Sequence, residues 1–196
     1  IQLVNHSDIK KLIELAIEHG FVIQPISSGN NWGYGSVAGK FEEKPIVLLD
    51  LGKMNRIVPI DKELGLISVQ PGVTQQQLFE YLEENNWPHM TPVTGAGPSC
   101  SLLSNLLERG YGITPNTDHF QATNKINAIF PNPKLWQQSE NREESLSQFV
   151  YESAVASMDR SEEKFIDHTF KWGVGAYVDG LLTQSSMGIV TEATIR

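Results

Sequence analysis

The feature that most constrains this chain is the charge-free run VIQPISSGNNWGYGS at residues 22–36. Its first residues are apolar and predict a buried strand, and the glycines, serines and asparagines that follow Pro25 predict a long loop. The loop lacks the spacing of a Rossmann fingerprint and the Gly-Lys pair of a P-loop. Two interpretations remain: a surface hairpin loop, or a nest of backbone N–H groups that holds an anion without a basic side chain.

The residues before this loop predict a helix, and those after it predict a parallel strand. Ser7 is the expected N-cap of the helix and Gly20 its C-terminal glycine. One apolar stripe at helical spacing comprises Ile9, Leu12, Ile13, Ala16 and Ile17. The run PIVLLDL at residues 45–51 does not alternate, which favours a buried strand in a layered α/β unit.

Residues 55–72 predict two more strands separated by a polar turn. Thr74 and Gln77 have the spacing of a capping box, which predicts the start of the next helix. The apolar face of that helix is expected to comprise Leu78, Phe79 and Leu82.

The proline- and glycine-rich segment 87–97 is the best candidate boundary between two lobes, which we place at residues 1–92 and 93–196. The second half predicts a short helix that ends at Gly110, a hairpin, an acidic helix, and glycine-interrupted strands to the end of the chain. These elements occupy residues 101–110, 125–138, 141–155 and 170–196.

A second breaker cluster, TGAGPSC at residues 94–100, lies directly before the short helix. The N-terminus of a helix offers free N–H groups and partial positive charge. Two anion-accepting loops predict a ligand with a diphosphate in the cleft between the lobes. A third run, SSMGIVTEA at residues 185–193, has small residues before a strand, where backbone groups could reach the edge of an aromatic ring.

Composition excludes several classes of function. A net charge of −8 argues against a nucleic-acid surface, and no apolar run reaches the length of a membrane span. Cys100 is the single cysteine, so an internal disulfide is impossible, and a reducing compartment such as the cytoplasm is favoured. The histidines show no metal-ligand spacing. A first residue that is not methionine and a final strand pattern that stops midway predict an excised piece.

Five motifs occur in order and resemble one family. They are PISSGNNWGYG, VLLDLGKMNRI, GLISVQPGVTQQQLFEYLEEN, SLLSNLLERGYGITPNTDHF and DGLLTQSSMGIVTEATI. Together they resemble the FAD-binding domain of the vanillyl-alcohol oxidase and p-cresol methylhydroxylase superfamily, and are most similar to its phenol-oxidising branch. The resemblance spans nearly the whole chain and is weakest at residues 121–171.

The resemblance implies an α+β fold: a two-lobe FAD-binding domain of the p-cresol methylhydroxylase (PCMH) type. Its N-terminal lobe is α/β, its second lobe has a mostly antiparallel sheet flanked by helices, and FAD lies between them. Residues implied to hold the pyrophosphate are Ile26, Ser27, Ser28, Gly29, Asn30, Asn31 and Gly33. Those implied to line the flavin cleft or touch the flavin and ribityl region are Pro71, Gly72, Gly95, Ser101, Ser104, Asn105 and Gly110. Those implied at the adenine side are Gly188, Ile189 and Val190.

Three departures from the family pattern bear on the chemistry. Asn31 stands where berberine-bridge relatives have the histidine that bonds the flavin, which implies that FAD is not attached through this segment. Ala96 and Ile113 stand about where vanillyl-alcohol oxidase has an aspartate near flavin N5 and an active-site tyrosine. The family's substrate cap follows the matched part and is expected to be absent here, so we expect this piece alone to be an incomplete enzyme.

Individual side chains have competing interpretations. Tyr34 matches a family tyrosine that helps to bind a phenolate and is the catalytic candidate; the alternative is a loop tyrosine packed on the sheet. His119, next to Asp118, is expected to make a structural hydrogen bond rather than act as a base. Glu108 and Arg109 are expected to form ion-pair or capping contacts at the end of a helix.

The leading hypothesis is therefore the FAD-binding domain of a flavin-dependent oxidoreductase whose parent enzyme transfers a hydride from a small alcohol or phenol-type substrate to flavin N5. An alternative is a non-catalytic FAD-domain fragment that serves as a binding or interaction module. A nucleotide-sugar reductase of the same fold type is a weaker alternative, because its NADPH-linked motifs are not matched. The sequence does not choose between O₂ and a partner protein as electron acceptor, and it does not indicate an oligomeric state.

Overall fold

The structure is a computed structural model that describes residues 1–30, 44–112, 118–131, 150–152, 168–169 and 178–196. None of the helices in these ranges is both long and apolar enough to cross a membrane. The elements in chain order are α1 (His6–His19), β1 (Val22–Ile26), β2 (Ile46–Asp50), β3 (Ile57–Asp61), β4 (Leu66–Val69), α2 (Gln75–Glu84), α3 (Leu102–Leu107), β5 (Thr123–Ile129), β6 (Val150–Glu152) and β7 (Ile189–Ile195).

Helix α1 is capped at both ends, but its N-cap is Asn5 rather than the predicted Ser7. The side chain of Asn5 accepts a hydrogen bond of 2.8 Å from the backbone N–H of Asp8, and the Ser7 hydroxyl donates to Asn5 Oδ1 at 2.7 Å. An asparagine two residues earlier therefore takes the role because asparagine caps as well as serine does. The predicted end is confirmed: Gly20 has φ 72° and its N–H donates to the carbonyl of Ala16.

Strands β1 and β2 form a parallel pair in register from Val22 opposite Ile46 to Ile26 opposite Asp50, which confirms the predicted parallel unit. Helix α1 covers this pair, and its buried Ile9 packs in one hydrophobic cluster with Leu49 of β2. This packing fixes the position of the C-terminal end of β1, where the glycine-rich loop begins.

The larger sheet has the strand order β3-β4-β7-β5-β6, and all of its neighbouring strands are antiparallel. The two strands predicted within residues 55–72 are confirmed as β3 and β4. Strand β7, near the end of the chain, pairs with β4 on one side and β5 on the other. This sheet takes strands from both sides of residue 92, and the division into lobes at that residue stays a prediction.

Helix α3 packs between two parts of the hydrophobic core. Leu102 and Leu106 pack in a cluster with Val69 of β4 and the inner face of α2, whereas Leu103 packs with Val190 of β7. All three leucines are at most 2% exposed. Because hydrophobic contacts occupy two sides of the helix, its rotation about its own axis is fixed. The direction in which its remaining side faces is therefore fixed as well.

Helix α2 begins at the predicted capping box. The Thr74 hydroxyl accepts from the N–H of Gln77, and the Gln77 side chain accepts from the N–H of Thr74. Leu78 and Leu82 are buried as expected, but Phe79 is 51% exposed, so its assignment to the apolar face is wrong. Leu78 and Leu82 are four residues apart and share one face, and Phe79 lies one step of about 100° away from Leu78.

The described part of the second half departs from prediction at two places. Residues 179–182, expected among strands, form a short 3-10 helix. Residues 150–152, expected within a helix, form strand β6, which pairs with β5. Val and Tyr both favour strands, and the free edge of β5 supplies hydrogen-bond partners that no local pattern reveals. The predicted KINAIF strand is confirmed within β5; its expected hairpin partner, at residues 134–138, lies outside the described residues.

Gly72 follows β4 in a tight backbone crossing. Its N–H donates to the carbonyl of Met54 at 2.7 Å, and a methyl group on its Cα would overlap the backbone carbonyl of Gly52. A backbone obstacle does not rotate away as a side chain does. Glycine is therefore required here for packing, which is a reason independent of any ligand.

We predict that Gly72→Ala lowers the free energy of unfolding by about 3 kcal/mol because the added methyl group displaces backbone. The matched control is Gly20→Ala, which has open space at the methyl position but a left-handed φ. It should cost about 1 kcal/mol. Urea unfolding followed by circular dichroism measures both, and a smaller loss for Gly72→Ala than for Gly20→Ala would contradict the steric explanation.

Candidate functional site

The first loop, residues 25–30, lies directly against the N-terminal part of helix α3. The hydroxyls of Ser27 and Ser104 are hydrogen-bonded to each other, and the Ser28 hydroxyl accepts from the N–H of Ser101 at 3.1 Å. These residues are more than 70 positions apart in the chain. The two glycine-rich clusters that the sequence singled out are therefore brought together in space.

The first loop also touches the second loop, residues 94–100. The Asn30 amide donates to the Ser99 hydroxyl at 2.7 Å. Each loop contains a left-handed glycine with open space beside it, Gly29 with φ 73° and Gly97 with φ 94°. A left-handed residue within a tight loop is a component of backbone anion nests, so the geometry is compatible with that interpretation of the first loop.

An open cleft of about 140 Å³ lies where three parts of the chain meet. The first loop contributes residues 25–27, and helix α3 contributes the side left free by the core. The third loop, residues 183–188, forms the remaining wall together with β7. Lining residues outside the first loop include Pro71, Ser104, Glu108, Gln184, Ser185, Gly188 and Val190.

The described lining of the cleft contains no lysine, arginine or histidine, and its one charged side chain is Glu108. An anion there would have to be held by neutral donors. Within the described ranges, the backbone N–H groups of residues 28–30 donate to no protein acceptor. These residues directly follow Ser27, which lines the cleft, so their N–H groups are compatible with an anion held next to it, and the left-handed Gly29 allows such groups to converge.

Helix α3 keeps only one of the free N–H groups predicted for its N-terminus. The N–H groups of Ser101, Leu102 and Ser104 each donate to an acceptor within the protein. The first loop occupies the N–H of Ser101, and the carbonyl of Val73 occupies that of Leu102. The N–H of Leu103 has no acceptor among the described residues, so the prediction holds for this group alone. Helix α3 lines the cleft with Leu103, Ser104 and Leu107, of which Ser104 supplies a hydroxyl.

Ser101 supports the cleft from inside the core. It is fully buried, its hydroxyl donates to the carbonyl of Pro71 at 2.6 Å, and the same oxygen caps α3 by accepting from Ser104 N–H. Pro71 itself lines the cleft. The Ser101 hydroxyl thus links Pro71 in the cleft wall to helix α3. Both of its hydrogen bonds are made within the protein and need no ligand.

Asn105 and Gly110, implied by the resemblance to touch the cofactor, contact each other at the end of α3. The N–H of Gly110 donates to the Asn105 carbonyl at 2.8 Å, and a methyl group on Gly110 would overlap the Asn105 side chain. Neither residue belongs to the described lining of the cleft. Ile189 likewise is buried, and it packs with Leu49 in the core below α1.

His119 is 1% exposed and makes the structural hydrogen bond that was expected. Its Nδ1 is hydrogen-bonded to the side-chain amide of Asn105, whereas its buried Nε2 has no hydrogen-bond partner among the described residues. Burial lowers the pKa of His119 below its ordinary value, and the neighbouring Asp118 opposes that shift. Asp118 is instead paired with Arg109 at 2.5 Å, so the expected ion pair at this helix end exists, with Asp118 as the partner of Arg109.

Several predicted positions lie outside the described residues. They are Asn31 and Gly33 of the pyrophosphate set, the catalytic candidate Tyr34, and Ile113. Among the described residues, no group of three or more His, Cys, Asp or Glu side chains could hold a metal ion. Gly95 and Ala96 lie in the second loop, where the N–H of Ala96 donates to the Thr94 hydroxyl at 3.3 Å.

Sequence reasoning missed Glu108, Gln184 and Ser185 as cleft residues. Glu108 could have been found, because it lies four positions after Ser104 and therefore on the same face of the helix. Gln184 gives no sequence signal, since its place depends on a left-handed backbone that glutamine seldom adopts.

A model of the family described as "FAD binding domain" matches residues 1–126 of the chain. A curated relative, 1'-carboxy-chondrochloren decarboxylase of Chondromyces crocatus, is 33% identical over 96% of this chain and 31% of its own length. The 4-cresol dehydrogenase [hydroxylating] flavoprotein subunit of Pseudomonas putida is 33% identical over 94% of this chain and 32% of its own length. The chain thus spans about a third of these relatives.

Solved structures show the same similarity. A crystal structure of p-cresol methylhydroxylase with substrate bound has a TM-score of 0.81 and 30% identity, and covers 100% of this chain and 34% of its own. The 4-ethylphenol oxidase from Gulosibacter chungangensis has a TM-score of 0.78 and 25% identity over 96% of this chain and 32% of its own. These similarities confirm the predicted α+β fold of the PCMH type.

We predict that His119 makes the stability of the fold sensitive to mild acid. The unfolded histidine takes up a proton as the pH falls below 6.5, whereas the folded one does so at its lowered pKa, so stability is lost on falling through that interval. His119→Gln keeps an acceptor for Asn105 and removes the titration, so its free energy of unfolding should fall less between pH 7 and 5. Urea unfolding at several pH values measures this.

The control for that experiment is His19→Gln, which removes an exposed histidine from the end of α1. It makes the same His-to-Gln replacement at a position outside the core. Equal pH slopes for the wild type and His119→Gln would refute the assignment of this sensitivity to His119.

Proposed function

The chain belongs to the FAD binding domain family, and from that membership we propose that it is the cofactor-binding part of an oxidoreductase that acts on a small alcohol or phenol-type substrate. It is an FAD-binding domain homologous to those of flavin-dependent enzymes such as p-cresol methylhydroxylase. Because it spans about a third of those relatives, the substrate and the complete reaction belong to the proposal.

The observation that supports this proposal most strongly is the meeting of the first loop and helix α3 at one cleft. Ser27 and Ser104 present hydroxyls there, and the backbone N–H groups of residues 28–30, next along the first loop, have no acceptor among the described residues. Neutral donors of this kind suit a diphosphate, which hydrogen-bonds strongly to amides and hydroxyls. In the proposed complex the pyrophosphate of FAD lies along the first loop.

The remaining parts of the cofactor follow from that placement. Ser104 and Pro71 are proposed to face the flavin and ribityl region, and Gly188 and Val190 the adenine side. Of the residues that the resemblance implied, these four line the described cleft together with Ile26 and Ser27 of the pyrophosphate set. Gly72, Ser101, Asn105 and Gly110 are proposed to act from behind it, because their close contacts are with the protein itself.

When bound, FAD supplies an acceptor for a hydride equivalent from the substrate. The part of this chain is to hold and orient the cofactor, and to exclude water from one of its sides with the apolar residues Leu103, Leu107 and Leu182. We propose that FAD is held here without a covalent bond. The described lining contains no histidine, cysteine or tyrosine, and Asn31 has an amide in place of a nucleophilic ring.

No described contact favours the alternative of a non-catalytic module. The loops that would hold FAD retain open space at Gly29 and Gly97. A chain that had lost its ligand would be expected to fill that space with larger side chains, because open clefts forfeit packing contacts.

We predict that the full 196-residue chain binds added FAD and that Ser104→Leu weakens this binding at least about tenfold, because a leucine side chain occupies the cleft between the loops. Quenching of flavin fluorescence on titration measures the dissociation constant. Acid precipitation should then release all of the flavin into the supernatant.

The control is Ser7→Leu, a change of the same size at an exposed serine of α1 outside the cleft lining. It should leave the affinity for FAD unchanged. A wild-type chain that is folded but does not bind FAD at high micromolar concentration would refute the proposed function.

A further inference from the structure

The third loop contains a residue whose backbone is held in an unusual conformation. Gln184 has φ 49°, and the other non-glycine residues with positive φ in the described ranges are Asn86 and Arg109. Left-handed backbone is unfavourable for a residue with a long side chain. A compensating interaction is therefore expected nearby.

That interaction is a pair of hydrogen bonds from Gln184 to the end of helix α3. Its backbone N–H donates to the carbonyl of Leu107 at 3.0 Å, and its side-chain Nε2 donates to the carbonyl of Glu108 at 3.2 Å. The last carbonyls of a helix have no partner within the helix and need one elsewhere. Gln184 thus joins the third loop to α3 across 76 positions of sequence.

Helix α3 is consequently held at both ends by loops that line the cleft. The first loop contacts Ser101 and Ser104 near its N-terminus, and Gln184 contacts its C-terminal carbonyls. The position of the third loop relative to the helix sets the distance between two walls of the cleft. The left-handed conformation aims both donors of Gln184 at the helix while the residue itself lines the cleft.

We propose that Gln184 is a positioning residue that holds the third loop against α3 and so keeps the cleft at the width that FAD requires. This inference rests on the proposed function, since it takes FAD to be the ligand of the cleft. The family match of residues 1–126 ends before this loop, and Gln184 does not belong to the cofactor set that the sequence motifs predicted.

The test uses the full chain, added FAD and the variant Gln184→Asn. Asparagine tolerates a left-handed backbone, but its side chain is one methylene shorter and does not reach the Glu108 carbonyl. The thermal midpoint without FAD should stay unchanged. The dissociation constant for FAD should rise about 3- to 10-fold, the range for loss of one hydrogen bond, mainly through faster release.

Two further variants isolate the effect. Gln184→Gly relieves the left-handed strain and keeps the backbone bond to Leu107, so it should weaken FAD binding while the chain stays as stable as the wild type or becomes more so. Asn86→Gly makes the same kind of change at the end of α2, outside the cleft lining, and should leave the affinity for FAD unaltered.

The outcomes separate the two claims. If the wild type binds FAD and both Gln184 variants bind it equally well, the positioning role is overturned and the proposed function stands. If both variants lower the thermal midpoint without FAD and the loss of affinity follows that loss of stability, Gln184 is structural and the inference is overturned. A wild type that does not bind FAD overturns both claims.

Discussion

The hydrogen bonds between the first loop and helix α3 are the interactions on which the cleft depends. Ser27 and Ser28 meet Ser104 and Ser101 there, and with the Asn30–Ser99 contact they join the first loop to the part of the chain that follows α2. Each hydrogen bond of this kind contributes about 1 kcal/mol to stability, so together these contacts favour one arrangement of the loops.

The residues that support these serines are themselves held in place by close contacts within the protein. Ser101 is tied to Pro71, and Gly72 crosses the backbone of Gly52 so closely that no side chain fits. Helix α3 is fixed by leucines on two sides, between the sheet and helix α2. Glycine and proline near the cleft therefore serve packing as much as ligand approach, and a sequence motif by itself does not separate the two purposes.

Local signals were sufficient where the determining contacts lie within a few residues. The capping box at Thr74, the left-handed Gly20 and the parallel β1–β2 pair all follow from short patterns. Local sequence patterns gave wrong predictions where a residue distant in the chain determines the structure. Residues 150–152 form a strand because the edge of β5 receives them, and the N–H of Ser101 is occupied because Ser28 reaches it from 73 positions away.

By itself the sequence determined the kind of fold and the class of cofactor through the resemblance of its five ordered motifs to a known family. The glycine-rich loops alone indicated an anion such as a diphosphate, because tight loops record local backbone requirements. Only the tertiary structure decided which of the residues implied by the motifs reach the cleft and which further residues join them. It turned Ser101, Asn105 and Gly72 towards the protein, and it brought Glu108 and Gln184 to the walls. The physical reason is that a wall is made of surfaces from distant segments, and their relative position depends on packing of the core between them.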